Sequence, residues 1–379
     1  MSRTSVVLPT RSGALERFTF EGAFVAGRPE PSTTRIAYAA AHVVADPFGG
    51  GVDWDATIAY RRHLWAHGLG VAEAMDTAQR GMGLAAADVP ILIAKSTAAA
   101  KQAGGAIVAG MATDTLAPGP APLDAIIGAY RDQLAMLDGT TAVPVLMASR
   151  QLAAAATGPA DYRRVYDAVL GGLDGPVMLH WLGEMFDPQL AGYWGSRGIS
   201  AAMDCVLDVV ADHAGTVTGV KISLLDARAE VSFRRRLPAG VDCYTGDDFN
   251  FPDLIAGDER GFSHALLGVF DVIAEVASEA LGALDDGDDQ RYQDLFGPAI
   301  PLSCALFEEP TFNYKIGVVF LAYLRGHQNH FRMLGALESA RSIGHLADLV
   351  RLGDVAGLFA DPDDVVRRLV PVLQSSGVW

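Results

Sequence analysis

From Arg35 onward, short apolar runs alternate with longer amphipathic stretches, and they do so eight times before the pattern changes near residue 270. Such alternation predicts parallel strands joined by helical crossovers. The apolar runs are Ile36 to Val44, Gly70 to Met75, Ala106 to Met111, Val143 to Ala148, Val177 to Leu182, Val217 to Ser223, Val241 to Tyr244 and Gly261 to Leu267. Between them the periodicity places helices at Asp53 to His67, Leu84 to Ala103, Leu123 to Leu137, Ala160 to Leu173, Ala201 to His213 and Ala227 to Arg236. The seventh crossover shrinks to a turn and short helix at Asn250 to Ala256. Eight units in series fit a closed α/β (β/α)8 TIM barrel better than an open doubly wound sheet, which usually stops at about six strands.

The chain has 379 residues, more than the roughly 250 of a typical barrel, and the surplus falls at both ends. Residues 1–34 carry two short strand-like runs, Val6-Val7-Leu8 and Phe18-Thr19-Phe20, around Arg11-Ser12-Gly13, which predicts a hairpin extension. Residues 35–270 form the barrel. Residues 271–379 are helical throughout, with an acidic turn at Asp285-Asp286-Gly287-Asp288-Asp289, and are expected to pack on the barrel as an extension.

A net charge of −16, broken by no basic cluster longer than Arg234-Arg235-Arg236, argues against nucleic acid as a partner. The opening MSRTSVVLPTRSG has no signal-like apolar run, and no stretch approaches the ~18 apolar residues of a membrane span, so no membrane partner and a cytoplasmic location are expected. Cys205, Cys243 and Cys304 are odd in number and far apart, and read as buried thiols. Neither a G-x-G-x-x-G after a strand nor a P-loop is present, so no cofactor is predicted.

Active sites of such barrels lie at the C-terminal ends of the strands. The polar residues expected there are His42 and Asp46, Glu73 with Asp76 and Thr77, Ser149 and Arg150, His180 and Glu184, Lys221 and Ser223, Thr245 with Asp247 and Asp248, and Ser263 with His264. Lys221 is unusual because Val220 and Ile222 flank it in an apolar strand. Alternation turns those two toward the helices and points Gly219, Lys221 and Ser223 into the barrel. A desolvated lysine loses preference for its charged form, which makes the amine a nucleophile for a ketone or aldehyde. The competing reading is a structural lysine paired with an interior carboxylate such as Glu73.

The segment GTVTGVKISLLDA, followed by VDCYTGDDFNFPDLIAGDERGFSHALLG, resembles the dihydrodipicolinate synthase and N-acetylneuraminate lyase family, whose G-[IV]-K strand carries a Schiff-base lysine. The resemblance places that lysine at Lys221, the family's G-D-D turn at Gly246, Asp247 and Asp248, and the following strand at Gly261 and Ser263. ADPFGGGVDWDATIAYRRHLWAHG is similar to the family's first strand, Pro-Phe turn and first helix, and LFEEPTFNYKIGVVFLAYLRG to a helical segment that here carries Pro310, Asn313 and Lys315. It implies a lyase or aldolase and a homo-oligomer, dimer or tetramer.

Departures redirect the expected substrate. Where the family reads G-T-T-G-E, to hold a 2-keto carboxylate, this chain reads Met75-Asp76-Thr77-Ala78-Gln79 and keeps only Thr77. PVMLHWLGEMFDP puts His180 where the family has its proton-relaying tyrosine, and Met185 near an arginine position. An anionic Asp76 disfavours pyruvate, and His180 can serve as general acid or base. The expected partner is therefore a small-molecule carbonyl, keto or sugar-derived, cleaved, condensed or dehydrated. Asp76, Glu73, Glu184 and Asp248 would accept bonds from its hydroxyls, and Thr77, Ser223, Gly246 and Ser263 would complete the site. Tyr193 to Gly198 is an insertion, expected as a lid or surface loop, with Arg197 as a candidate charge.

Two other readings stay open on the sequence. His42, Glu73, His180 and His264 near strand ends would suit zinc or manganese in a metal-dependent sugar lyase or isomerase. A barrel relative that only binds a sugar or keto acid is the second, against which a buried lysine without a task counts. His327, His330 and His345 are expected on a helix, the first two sharing a face at an interface or near the barrel mouth.

Overall fold

Eight parallel strands close into a barrel in the computed structural model, which describes residues 3–378. The N-terminal hairpin pairs β1 (Ser5–Pro9) antiparallel with β2 (Leu15–Thr19). The barrel strands are β3 (Ala37–Ala40), β4 (Gly70–Glu73), β5 (Ile107–Met111), β6 (Val143–Leu146), β7 (Val177–Leu182), β8 (Val217–Ser223), β9 (Asp242–Thr245) and β10 (His264–Leu267). Each lies inside its predicted run except β9, which runs one residue past it to Thr245, and they neighbour one another in chain order until β10 closes on β3.

The crossovers are helical as the periodicity implies, and local polar groups start several of them. Asp53 accepts from the Ala56 amide to begin Trp54–Ala66, and Asp226 does the same from Ala229 for Ala227–Arg234. A helix at Arg150–Ala155, capped by Ser149, was not expected. Six residues are too few to show a period.

Inward-facing side chains fill the barrel in layers of large against small. Tyr38 and Tyr244 lie 6.2 Å apart at its lower end. Gly70 and Gly219 make room for them: an added Cβ would sit 2.4 Å from the Tyr38 ring and 2.6 Å from the Tyr244 ring. Ala40, Ala72, Val108, Val145, Met178 and Leu266 pack around these rings and upward toward the mouth.

The C-terminal helices include Ala274–Asp285, Asp289–Phe296, Ala299–Leu306, Tyr314–Leu324, Ile343–Val355 and Pro362–Ser375. Tyr314–Leu324 is buried along its whole length. The hairpin is tied to this region by Arg11, which bonds Asp348 at 2.6 Å and Glu308 at 2.8 Å.

Two expectations need correcting. His327 and His330 are not on a helix, because Gly326 adopts φ 81° and turns the chain; only His345 is helical. Cys304 is exposed rather than buried, whereas Cys205 and Cys243 are buried, and all three are free. No helix among the described residues is long and apolar enough to cross a membrane.

Candidate active site

β7 and β8 pair so that His180 stands beside Lys221, both turned into the barrel near its C-terminal end. Lys221 is 5% exposed. Burial lowers its amine below the ordinary 10.5, while Asp76 and Asp248 oppose the shift. His180 is fully buried; its Nε2 lies 3.0 Å from Ser223 Oγ, and its Nδ1 has no partner among the described residues. Burial first, then Lys221, push the imidazole well below 6.5, so it is neutral and able to take or give a proton.

Gly246 follows β9 and passes close above the lysine. A Cβ here would lie 2.2 Å from Ser223 Oγ and 2.7 Å from Lys221 Cε. Glycine is the residue that lets this turn touch the lysine stem.

Asp76 and Thr77 reach the site from a single 3-10 turn after β4, bounded by Ala74 (φ 53°) and Gln79 (φ 59°) in the left-handed region. Arg80 pins that turn from behind, bonding Ala74 O at 3.2 Å, Gly110 O at 2.6 Å, Gln133 at 2.7 Å and both oxygens of Asp114 at 2.8 Å. The strained residues are thus held by surrounding bonds. Thr77 bonds Tyr314, and the Tyr314 hydroxyl donates to Asp76 Oδ2 at 3.1 Å. Asp76 Oδ1 is buried with no partner. Burial works against its charge, but Lys221 and Lys315 outweigh it and keep the carboxylate ionised.

The neighbouring cavity, about 290 Å³, is lined by Asp76, Met82, Met147, Arg150, Phe186 and Lys315 among others. Lys315 is 4% exposed and bonds only weakly, to Met82 Sδ at 3.5 Å. Burial lowers its amine too. Arg150 is paired with Asp187. Acidic and basic side chains both line the cavity, so the lining suits a polar guest with both donors and acceptors.

Of the residues expected at the site, Lys221, His180, Ser223, Asp76, Thr77 and Gly246 come together. Glu73 does not: it faces the helix layer, where Arg61 holds it at 2.8 and 2.9 Å and Ser96 at 2.5 Å. It cannot reach a hydroxyl in the barrel, nor partner Lys221. Glu184 is exposed and borders a separate cleft with Arg197. Ser263 precedes β10, at the opposite end from the mouth, and donates to Glu230 at 2.7 Å. Asp248 is near the lysine but turned away from the cavity, accepting from the Val269 amide at 2.8 Å. Burial raises its carboxyl to about 8, so it is largely protonated at neutral pH and is a poor acceptor for a substrate hydroxyl.

The metal set inferred from strand ends is dispersed. His42 is engaged by Asp271 and Gln328, His180 by Ser223, Glu73 by Arg61, and His264 by the Ile36 amide at 3.0 Å. The Tyr193 to Gly198 insertion is not a detached lid, since Trp194 is buried against Tyr162 and Tyr166. Lys315 and Tyr314 were not named as site residues; the buried helix bringing them to the mouth carries a lysine in an otherwise apolar run, the same signal that marked Lys221.

A family model described as "Protein of unknown function (DUF993)" matches residues 6–378. No curated protein matches the sequence. Among solved structures, a putative dihydrodipicolinate synthetase from Pseudomonas aeruginosa is similar over 85% of this chain and 99% of its own, at 15% identity and a TM-score of 0.66. Dihydrodipicolinate synthase from Cyanidioschyzon merolae with lysine bound covers 89% and 100%, at 14% identity and a TM-score of 0.66. The enzyme from Acinetobacter baumannii complexed with pyruvate covers 86% and 100%, at 15% identity and a TM-score of 0.64. At such identities the likeness is one of fold.

Proposed function

We propose that this chain, which belongs to the DUF993 family, is a Schiff-base-forming lyase or aldolase acting on a keto or sugar-derived carbonyl compound. The reading rests on one observation above the others: a buried lysine with a depressed amine pKa points into the barrel beside a neutral histidine and an ionised aspartate. The shared fold with dihydrodipicolinate synthases supports it.

In this mechanism the neutral Lys221 amine attacks the carbonyl carbon, and the oxygen gains a proton to give a carbinolamine. A proton delivered from solvent through His180 lets the hydroxyl leave as water, and the nitrogen lone pair closes a protonated imine, whose positive charge Asp76 stabilises in a site of low dielectric. The imine then draws electrons from the adjacent carbon–carbon bond, or supports its formation or the loss of a neighbouring hydroxyl. His180 moves the proton through its unpaired Nδ1, with Ser223 fixing the ring. Water returns and releases Lys221.

The substrate class follows from the lining. Asp76 is ionised and the Thr77 hydroxyl is engaged by Tyr314, which leaves no threonine pair free for a 2-keto carboxylate. A polyhydroxy or sugar-derived ketone, rather than pyruvate, matches the mixed donors and acceptors of the cavity. A homo-oligomer belongs to the same reading and is measurable by light scattering.

Borohydride trapping with a panel of keto-sugars, sugar acids, aldehydes and pyruvate tests the proposal. A covalent mass increment is expected with at least one polyhydroxy ketone and absent in Lys221→Ala. Failure of every carbonyl compound to trap overturns it.

A further inference from the structure

We infer that His63, Glu275 and His327 form a binding site for a divalent transition-metal ion of the zinc class, remote from the lysine. The three come from different parts of the chain: His63 from helix Trp54–Ala66, Glu275 from the first turn of helix Ala274–Asp285, and His327 from the turn after helix Tyr314–Leu324. One ligand atom from each lies within 4.8 Å of the other two.

The second observation is independent of that proximity. His63 Nε2, Glu275 Oε2 and His327 Nε2 are each buried and have no hydrogen-bond partner among the described residues. A single orphaned polar atom is unusual in a folded interior, and three that converge ask for a common partner. Protein–protein hydrogen bonds do not answer the need, because the two imidazoles face each other with rings 4.3 Å apart.

The donor chemistry narrows the partner. Two neutral imidazoles and a carboxylate are a zinc set, and the absence of cysteine from it argues against softer ions. His63 Nε2 lies 3.5 Å from Glu275 Oε1, so the imidazole nitrogen faces the carboxylate whose other oxygen is unpartnered.

The surroundings have an outer shell. Arg325 bonds Glu275 Oε1 and the Val272 carbonyl, which orients the carboxylate and leaves Oε2 for the ion. Its positive charge weakens metal affinity, and Asp271 beside it offsets part of that charge. A cavity of about 150 Å³, lined by Phe24, Arg325, His327 and Asp361 among others, leads to the site and leaves room for a water as fourth ligand. Gly27 closes the other side, where a Cβ would lie 2.7 Å from the His67 ring and 2.8 Å from Glu275 Cα. The ion would clamp the first barrel helix to the C-terminal helices beneath the N-terminal arm.

The test uses the full chain, stripped with chelator and titrated with Co2+ alone, then back-titrated with Zn2+. One equivalent of Co2+ per chain, with visible ligand-field bands displaced by Zn2+, and a higher Tm with Zn2+ are expected. His63→Gln and His327→Gln, checked for folding by circular dichroism, should weaken Co2+ binding by more than about 100-fold, since losing an outer-shell partner alone costs roughly 10–100-fold. Lys221→Ala should bind as the wild type does. Absence of stoichiometric Co2+ or Zn2+ binding by the wild type, which depends on no variant folding, overturns the inference. Unchanged binding in both histidine variants also overturns it.

Discussion

His180 and Lys221 stand side by side on neighbouring barrel strands, and the lysine adds to the burial that depresses the imidazole. The pH dependence follows with a definite sign. Lys221 is active as the free amine, and its pKa is below 10.5, so the rate should rise with pH and level off before that value. His180 is depressed well below 6.5, so its own protonation costs activity only below that value. His180→Asn should reduce kcat by about 10²–10⁴-fold while trapping on Lys221 persists. A pH–rate profile that is still rising at pH 10.5 contradicts this arrangement.

Gly246→Ala should disable the lysine without unfolding the barrel. The added methyl would stand 2.7 Å from Lys221 Cε, and the forced adjustment costs about 1–3 kcal/mol. Trapping should fall sharply while the thermal transition remains cooperative. Full trapping in this variant means that the turn does not hold the lysine.

Glu73→Ala separates a structural from a substrate-binding carboxylate. Arg61 would be left buried and unpaired, at a cost of about 3–5 kcal/mol. Urea denaturation should show that loss, with KM unchanged for the protein that remains folded. A raised KM with little loss of stability would return Glu73 to the substrate.

Glu230 gives a second pH signature, in stability. Its carboxyl is raised to about 8 by burial, against hydrogen bonds from Ser263 and Thr245. The folded state therefore holds a proton that the unfolded state releases near pH 4.5. Stability contributed by this proton is complete below pH 4.5 and is lost as pH rises to about 8, with a slope of about 1.4 kcal/mol per pH unit. Glu230→Gln should remove that slope, measured as ΔG of unfolding across the window. An unchanged slope would show that Glu230 is not its source.

The barrel was legible because each strand is a separate apolar run with its own turn, and Lys221 because charge inside such a run is rare. Face was harder to read. Both sides of a parallel strand are buried, so in Gly70-Val71-Ala72-Glu73 nothing local says that Ala72 faces the barrel and Glu73 the helices. Ser263 failed for a different reason: it stands near the start of the run Gly261 to Leu267, ahead of β10 at His264, which puts it at the closed end. Lys315 and Tyr314 approach from a helix roughly a hundred positions beyond Lys221, a distance that no local pattern spans. Gly326 was a readable signal for His327, since glycine after a helix commonly ends it.

Two buried lysines flank Asp76, and this makes the site of covalent attachment the decisive measurement. After borohydride reduction with a trapping ketone, the protein should be digested and the modified peptide identified by mass spectrometry. The adduct is expected on Lys221, with Lys315 unmodified. An adduct on Lys315, or one that survives Lys221→Ala, would contradict the assignment of Lys221 as the nucleophile.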